Sequence, residues 1–207
     1  ALGFYQKAIE IDPNHPLATY AVSWANYDLG RYDLVISLLE KSIKVDPEYA
    51  FSENLLGMTY GKLEKFEEAL KHYRRAIEID SLYKKPYLNL SAIYIKRNEF
   101  DKAIEWLQKS LDLDPDYALA HNNLGIIYHR QGLYEKALKE FLLANKLNSN
   151  FADTYFRIAE TYVKLENPSE AKKYLAIGEK LDPDFNSSCI KAEIYEAEGK
   201  QKEADIA

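Results

Sequence analysis

Residues 118–151 read ALAHNNLGIIYHRQGLYEKALKEFLLANKLNSNF: two amphipathic stretches, Ala118–Arg130 and Tyr134–Leu147, joined by a short turn around Gln131 and Gly132. Stepping 34 residues in either direction finds the same layout. The residue that closes the second stretch recurs as Pro13, Pro47, Ser81, Pro115, Ser149 and Pro183, and each follows an Asp or Asn. A fixed period of this length is filled by one helix-turn-helix unit, which cannot bury its apolar face alone and stacks on its neighbours. The expected fold class is therefore all-α, a solenoid of tandem helix-turn-helix units. Such a chain offers a surface for other chains, not a reaction.

Composition narrows the class further. The hydrophobic content of 47% and charged content of 29% are those of a folded soluble protein. The 17 tyrosines suit helix interfaces, where a ring is buried and its hydroxyl stays at the edge, and they suit protein-binding surfaces. A net charge of −6 with mixed signs argues against nucleic acid as the main partner. The single cysteine, Cys189, excludes an internal disulfide framework. No stretch approaches the ~20 apolar residues of a membrane span, and no signal peptide is visible, so a cytoplasmic location is expected.

Taken in order, residues 1–15 match the second half of a unit, so their first-helix partner is missing. Full units follow at 16–49, 50–83, 84–117, 118–151 and 152–185, and residues 186–207 read as a truncated or degenerate sixth unit. There Gly199 and Ala204 fall one place early, which places a turn at Gly199 and a second helix after it. The whole chain, 1–207, is read as one solenoid domain excised from a longer protein. Its unfinished ends, with Phe4 and Tyr5 at one and Ile194 and Ala204 at the other, are expected to favour end-to-end self-association.

Small residues explain the packing. One column, in the first helix of each unit, is Ser23, Gly57, Ser91, Gly125 and Ala159; another, late in the second helix, is Ser42, Ala76, Ser110, Ala144 and Gly178. Small side chains let helix axes approach closely, and Tyr60, Tyr94, Tyr128, Tyr73 and Phe141 fill the space around them. Gly30, Asn98 and Gly132 stand where a left-handed residue ends a helix. Glu64 and Glu166 hold the same place, so looser caps are expected there. Pro168 replaces the aromatic that otherwise opens the second helix, which predicts a weakly joined fifth unit.

Pattern and period resemble the tetratricopeptide repeat (TPR) family. Its hallmark of large, small and aromatic positions is met by His121, Leu124, Gly125, Tyr128, Ala137, Phe141, Ala144 and Ser149, and by Tyr87, Leu90, Ser91, Tyr94, Ala103, Leu107, Ser110 and Pro115. Unit 16–49 departs from it, with Asn26 in the aromatic place and Tyr27 beside it. The resemblance implies a right-handed superhelix whose first helices line a concave groove that holds an extended or helical segment of a partner.

Candidate site residues follow from helical spacing. Lys85, Asn89 and Lys96 share one face of a first helix; the same columns in later units bring Asn123, Arg130 and Arg157. This basic, amide-bearing strip suits an acidic protein or peptide partner, because an Asn side chain can donate to and accept from a peptide backbone at once. It resembles the asparagine ladder of the TPR region of O-linked glycosyltransferases, with two rungs. Trp24, Phe51 and Asn54 form a second patch nearer the amino end, with Trp24 and Phe51 as aromatic anchors. The two-carboxylate clamp pattern of chaperone-binding members is not met in any frame. His121 and His129 have no metal-ligand companions at close spacing, Cys189 has no base beside it in sequence, and there is no phosphate loop. The expectation is a non-enzymatic interaction scaffold without cofactor or metal; the alternative is a substrate-recruiting arm of a larger enzyme such as a glycosyltransferase.

Overall fold

The structure is a computed structural model that describes residue 7 and residues 15–206, with side chains described as far as Gly199. Among these residues there are eleven helices and no strand: α1 (Pro16–Asp28), α2 (Tyr32–Val45), α3 (Ala50–Lys62), α4 (Phe66–Ile79), α5 (Lys84–Lys96), α6 (Phe100–Leu113), α7 (Ala118–Arg130), α8 (Tyr134–Leu147), α9 (Ala152–Lys164), α10 (Pro168–Leu181) and α11 (Ser188–Ile206). They form two compact units divided between Leu113 and Asp114. In each unit, helix-turn-helix pairs stack on their neighbours, the solenoid arrangement that the period predicts. The expected half-unit at residues 1–15, including Phe4 and Tyr5, lies outside the described residues except for Lys7 and His15.

Side-chain volume sets how closely the two helices of a pair meet. A methyl group placed on Gly57 would come within 2.7 Å of the Tyr73 ring, and one on Gly125 within 2.5 Å of the Phe141 ring. Both distances are far inside van der Waals contact, so the aromatic ring of the second helix lies directly on the backbone of the first. The same two repeat positions hold Ser23 with Leu39, Ser91 with Leu107 and Ala159 with Leu175. Glycine accompanies an aromatic; a residue with a Cβ accompanies leucine. Phe141, Leu39 and Leu107 are fully buried, so the match is made where voids and clashes both cost most.

All five turns within pairs close alike. Gly30, Glu64, Asn98, Gly132 and Glu166 have φ between 56° and 75°. Each donates its N–H to the carbonyl three residues back, and the next residue donates five back: Gly132 to His129 and Leu133 to Tyr128, and likewise Glu64 to Gly61 and Lys65 to Tyr60. The looser caps expected at Glu64 and Glu166 are not found, because the backbone bonds form whichever side chain is present; what those residues carry is left-handed strain. Between pairs, Asp46, Asp80, Asp114 and Asn148 each accept from the backbone N–H two residues on, at 3.0–3.2 Å. This side-chain turn explains the acid or amide before each Pro or Ser.

A third contact, between residues 19 apart, recurs in four of the five pairs. Glu53 meets His72 at 2.6 Å, Tyr87 faces Trp106 at 5.9 Å, His121 meets Glu140 at 2.7 Å and Tyr155 faces Tyr174 at 6.3 Å. The ionic pair of α3 and α4 is reversed in α7 and α8. His121 Nε2 also donates to the Pro115 carbonyl at 3.0 Å, as the Tyr87 hydroxyl donates to that of Ser81.

The last two units contain the proline and the glycine that the sequence singles out. Pro168 is buried at the first turn of α10, and the Asn167 side chain caps that helix by accepting from the Glu170 N–H at 3.2 Å. Tyr174 stacks on Tyr162 at 5.5 Å, as His72 does on Tyr60 at the same repeat positions. α11 continues through Gly199 without a turn. Ile194 is 1% exposed and packs with Phe156, Leu175 and Ile190; it is core, not an exposed end face. The side chain of Ala204 lies outside the described residues.

Two stability measurements test these contacts. Gly125→Ala should destabilise the protein by about 1–3 kcal/mol through overpacking, although alanine is the better helix former by about 1 kcal/mol. Adding Phe141→Leu should recover at least half of that loss, visible as coupling in a urea-unfolding double-mutant cycle. Glu64→Gly and Glu166→Gly should each stabilise by about 0.5–1 kcal/mol through relief of left-handed strain, whereas Gly132→Ala should destabilise in the same assay.

Candidate functional site

The first helices of the pairs in the amino-terminal unit, α1, α3 and α5, share one face. Lys85 and Lys96 are exposed there, and Asn89 between them is half-buried. Asn89 Nδ2 donates to Asn54 Oδ1 at 2.9 Å, and Asn54 Nδ2 donates to the Tyr83 hydroxyl at 3.2 Å. Asn54 is only 1% exposed. It therefore cannot present its amide to a peptide, contrary to the reading from sequence; it orients Asn89 instead. One amide hydrogen of Asn89 is committed to this contact.

Aromatic rings run beside this amide chain. Phe51, 41% exposed, lies 4.8 Å from Tyr83, 5.4 Å from Tyr49 and 5.9 Å from Tyr20. Tyr20 leads to Trp24 at 6.2 Å, and Trp24 stacks on Tyr27 at 5.8 Å. Trp24 is half-buried within this row and not a lone anchor. Burial pushes the Tyr20 and Tyr27 hydroxyls above the usual tyrosine range, with Tyr49 and Tyr32 respectively adding to it. Tyr49 and Tyr83 were not singled out from the sequence. Their signal was the aromatic or histidine that precedes every first helix at intervals of 34: His15, Tyr49, Tyr83, Tyr117 and Phe151.

Where the row ends, a pocket of about 210 Å³ opens near the carboxyl ends of α3 and α5. Tyr27, Met58, Phe66 and Ala92 form walls, Asn89 stands at its edge, and Lys62 and Lys96 line it. The Lys96 ammonium lies 5.5 Å over the Phe66 ring. None of the described residues lining the pocket is acidic.

The carboxy-terminal unit carries the remaining candidates on α7 and α9, and its charge is balanced. Asn123 is half-buried and Arg130 exposed. Arg157 Nε donates to Asp153 at 2.8 Å, and Lys164 donates to Glu193 at 2.9 Å. The basic strip expected from sequence is therefore interleaved with acids in this unit. Burial raises the Glu160 carboxyl above the usual carboxylate range, although Arg157 draws it down. Burial also lowers the His129 imidazole, with Arg157 and Lys164 adding to the effect. Asn122, next to Asn123, accepts from the Thr154 hydroxyl at 3.3 Å and ties α7 to α9.

Models described as tetratricopeptide repeat match residues 50–81, 118–151 and 152–185, and one described as TPR repeat matches residues 92–132. The chain belongs to the tetratricopeptide repeat family. Comparison with curated proteins finds no match. Among solved structures, this TPR chain is similar to YrrB, described as a TPR protein with an unusual peptide-binding site, at 18% identity and a TM-score of 0.63 over 96% of this chain and 100% of that one. It is similar to the Cut9-Hcn1 hetero-tetramer of the APC/C at 19% identity and a TM-score of 0.84, over 96% of this chain but 39% of that one. A third likeness is to pilF of Pseudomonas aeruginosa, at 17% identity and a TM-score of 0.79 over 90% and 86%. At these identities the likeness concerns the fold. Among the described residues no helix is long and apolar enough to cross a membrane, and no three His, Cys, Asp or Glu residues converge as a metal site.

The raised Glu160 carboxyl gives a pH prediction with a definite sign. The folded protein holds that proton to a higher pH than the unfolded chain does, so the contribution to stability is full in acid and is lost as pH rises through the folded value. Glu160→Gln mimics the protonated form. It should be more stable than the parent at pH 7 in urea unfolding, with the difference closing towards pH 4.

Proposed function

We propose that this TPR protein is a binding scaffold, without catalysis of its own, that holds an extended acidic segment of another protein along the face of its first helices. The observation that carries this reading is the amino-terminal unit. Lys62, Lys85 and Lys96 stand on one face beside a pinned amide, Asn89, and a row of partly exposed aromatics, in a chain whose net charge is −6. Local cations on an acidic protein favour placement of an acidic ligand more than its rate of encounter. Aromatic rings supply apolar contact area at low entropic cost, and an amide held in place can bond to a peptide backbone whatever the side chains. In the carboxy-terminal unit the same reading assigns Asn123, Arg130 and Arg157 to its own peptide-binding face, with weaker charge because Asp153 engages Arg157.

An array of ten-residue peptides, acidic, neutral and basic in composition, tests this. Acidic peptides should bind preferentially, and Lys85→Glu combined with Lys96→Glu should weaken them at least tenfold, about 1.4 kcal/mol, with a flatter salt dependence. Asn89→Ala should cost about 1–3 kcal/mol where the amide meets a peptide group. Lys139→Glu, on the second helix α8, should leave binding unchanged. Preference for basic peptides, or equal damage from Lys139→Glu, would place the partner elsewhere.

A further inference from the structure

The pocket near the carboxyl ends of α3 and α5 has a size and a charge pattern that define more than general affinity for acids. Its volume of about 210 Å³ is below the range of about 300–1,000 Å³ usual for small-molecule sites and matches a single large side chain. Tyr27, Phe66 and Ala92 give it apolar walls, and the unbranched Met58 can adapt its shape to an incoming side chain. Lys62 and Lys96, at the same place in successive units, set two ammonium groups beside it, and no described lining residue is acidic.

We propose that this pocket is a socket for one large apolar side chain, phenylalanine or leucine, that carries an acidic residue on each side of it in the bound segment. This rests on the reading of the face as a binder of acidic segments and names the motif it selects. An apolar ligand without flanking acids would bring two ammonium groups out of water with nothing to pair them. An acidic ligand without an anchor would leave the walls wet. Asn89, at the pocket edge and oriented by Asn54, is placed to meet the backbone of the anchoring residue.

Isothermal titration calorimetry on the full chain with three peptides tests the socket: Glu-Asp-Glu-Phe-Glu-Asp-Glu, the same peptide with Ser for Phe, and the same with Gln and Asn for the acids. The first should bind at least tenfold more tightly than either of the others. Ala92 is exposed on its helix, so Ala92→Trp should fill the pocket and abolish the advantage of Phe over Ser; Ala92→Leu is the milder variant if the first lowers the melting temperature. Equal binding of the Phe and Ser peptides to the parent would overturn the socket and leave the acidic-segment reading standing. Failure of both acidic peptides to bind would overturn both. A Phe advantage that survives both Ala92 variants would overturn the socket, as would sedimentation showing that a second copy of the chain covers the pocket and excludes the Phe peptide.

Discussion

The contact on which the repeat depends is that of an aromatic ring seated on a glycine backbone. At Gly57 and Tyr73, and again at Gly125 and Phe141, the first helix gives up a side chain so that the second can place a ring against it. Where the first helix keeps a Cβ, at Ser23, Ser91 and Ala159, the partner shrinks to leucine. The total volume at the crossing stays nearly constant while its division between the helices changes. Close-packed interiors resist both voids and overlap, so this sum fixes the helix separation, and with it the spacing of first helices from which the aromatic row and the lysines project.

Much of this was legible in the sequence because it is periodic. The bounds of α7 and α8 coincide with the two amphipathic stretches of residues 118–151, since a period of 34 and an apolar face are properties of residue order. The site was legible only in part. Lys85, Lys96 and Phe51 are exposed as spacing implied, whereas Asn54 is sealed at 1% exposure. Helical spacing alone gave no account of its contacts with Asn89 and Tyr83 on the next pair. The Glu53–His72 and His121–Glu140 pairs escaped notice for a related reason: a separation of 19 crosses a turn and fits neither helical nor metal-ligand spacing. Gly199 misled in the opposite direction. A glycine ends a helix when its backbone turns left-handed, and in α11 it stays helical.

Charge is arranged differently in the two units. In the amino-terminal unit Lys62 and Lys96 stand beside rings and amides, while Asp28 holds the same repeat position in α1. In the carboxy-terminal unit Asp153 and Glu193 engage Arg157 and Lys164 directly, so part of the attraction for an anion is already satisfied within the chain. Exposed pairs of this kind contribute little to stability, but they reduce what an incoming carboxylate gains. Similar helices can thus carry faces of different strength, depending on the acidic residues placed beside their cations.

The reversed ionic pairs have a consequence for how the chain finds its fold. Repeats of equal length and similar pattern can pair out of order while folding, a known hazard of such chains. If α3 met α8 in place of α4, Glu53 would face Glu140; if α7 met α4, His121 would face His72. The pair of Tyr87 with Trp106 excludes either exchange in a different way, by setting rings against charges. The two ionic seams thus bear labels that do not answer each other, which disfavours an exchange between those two repeats.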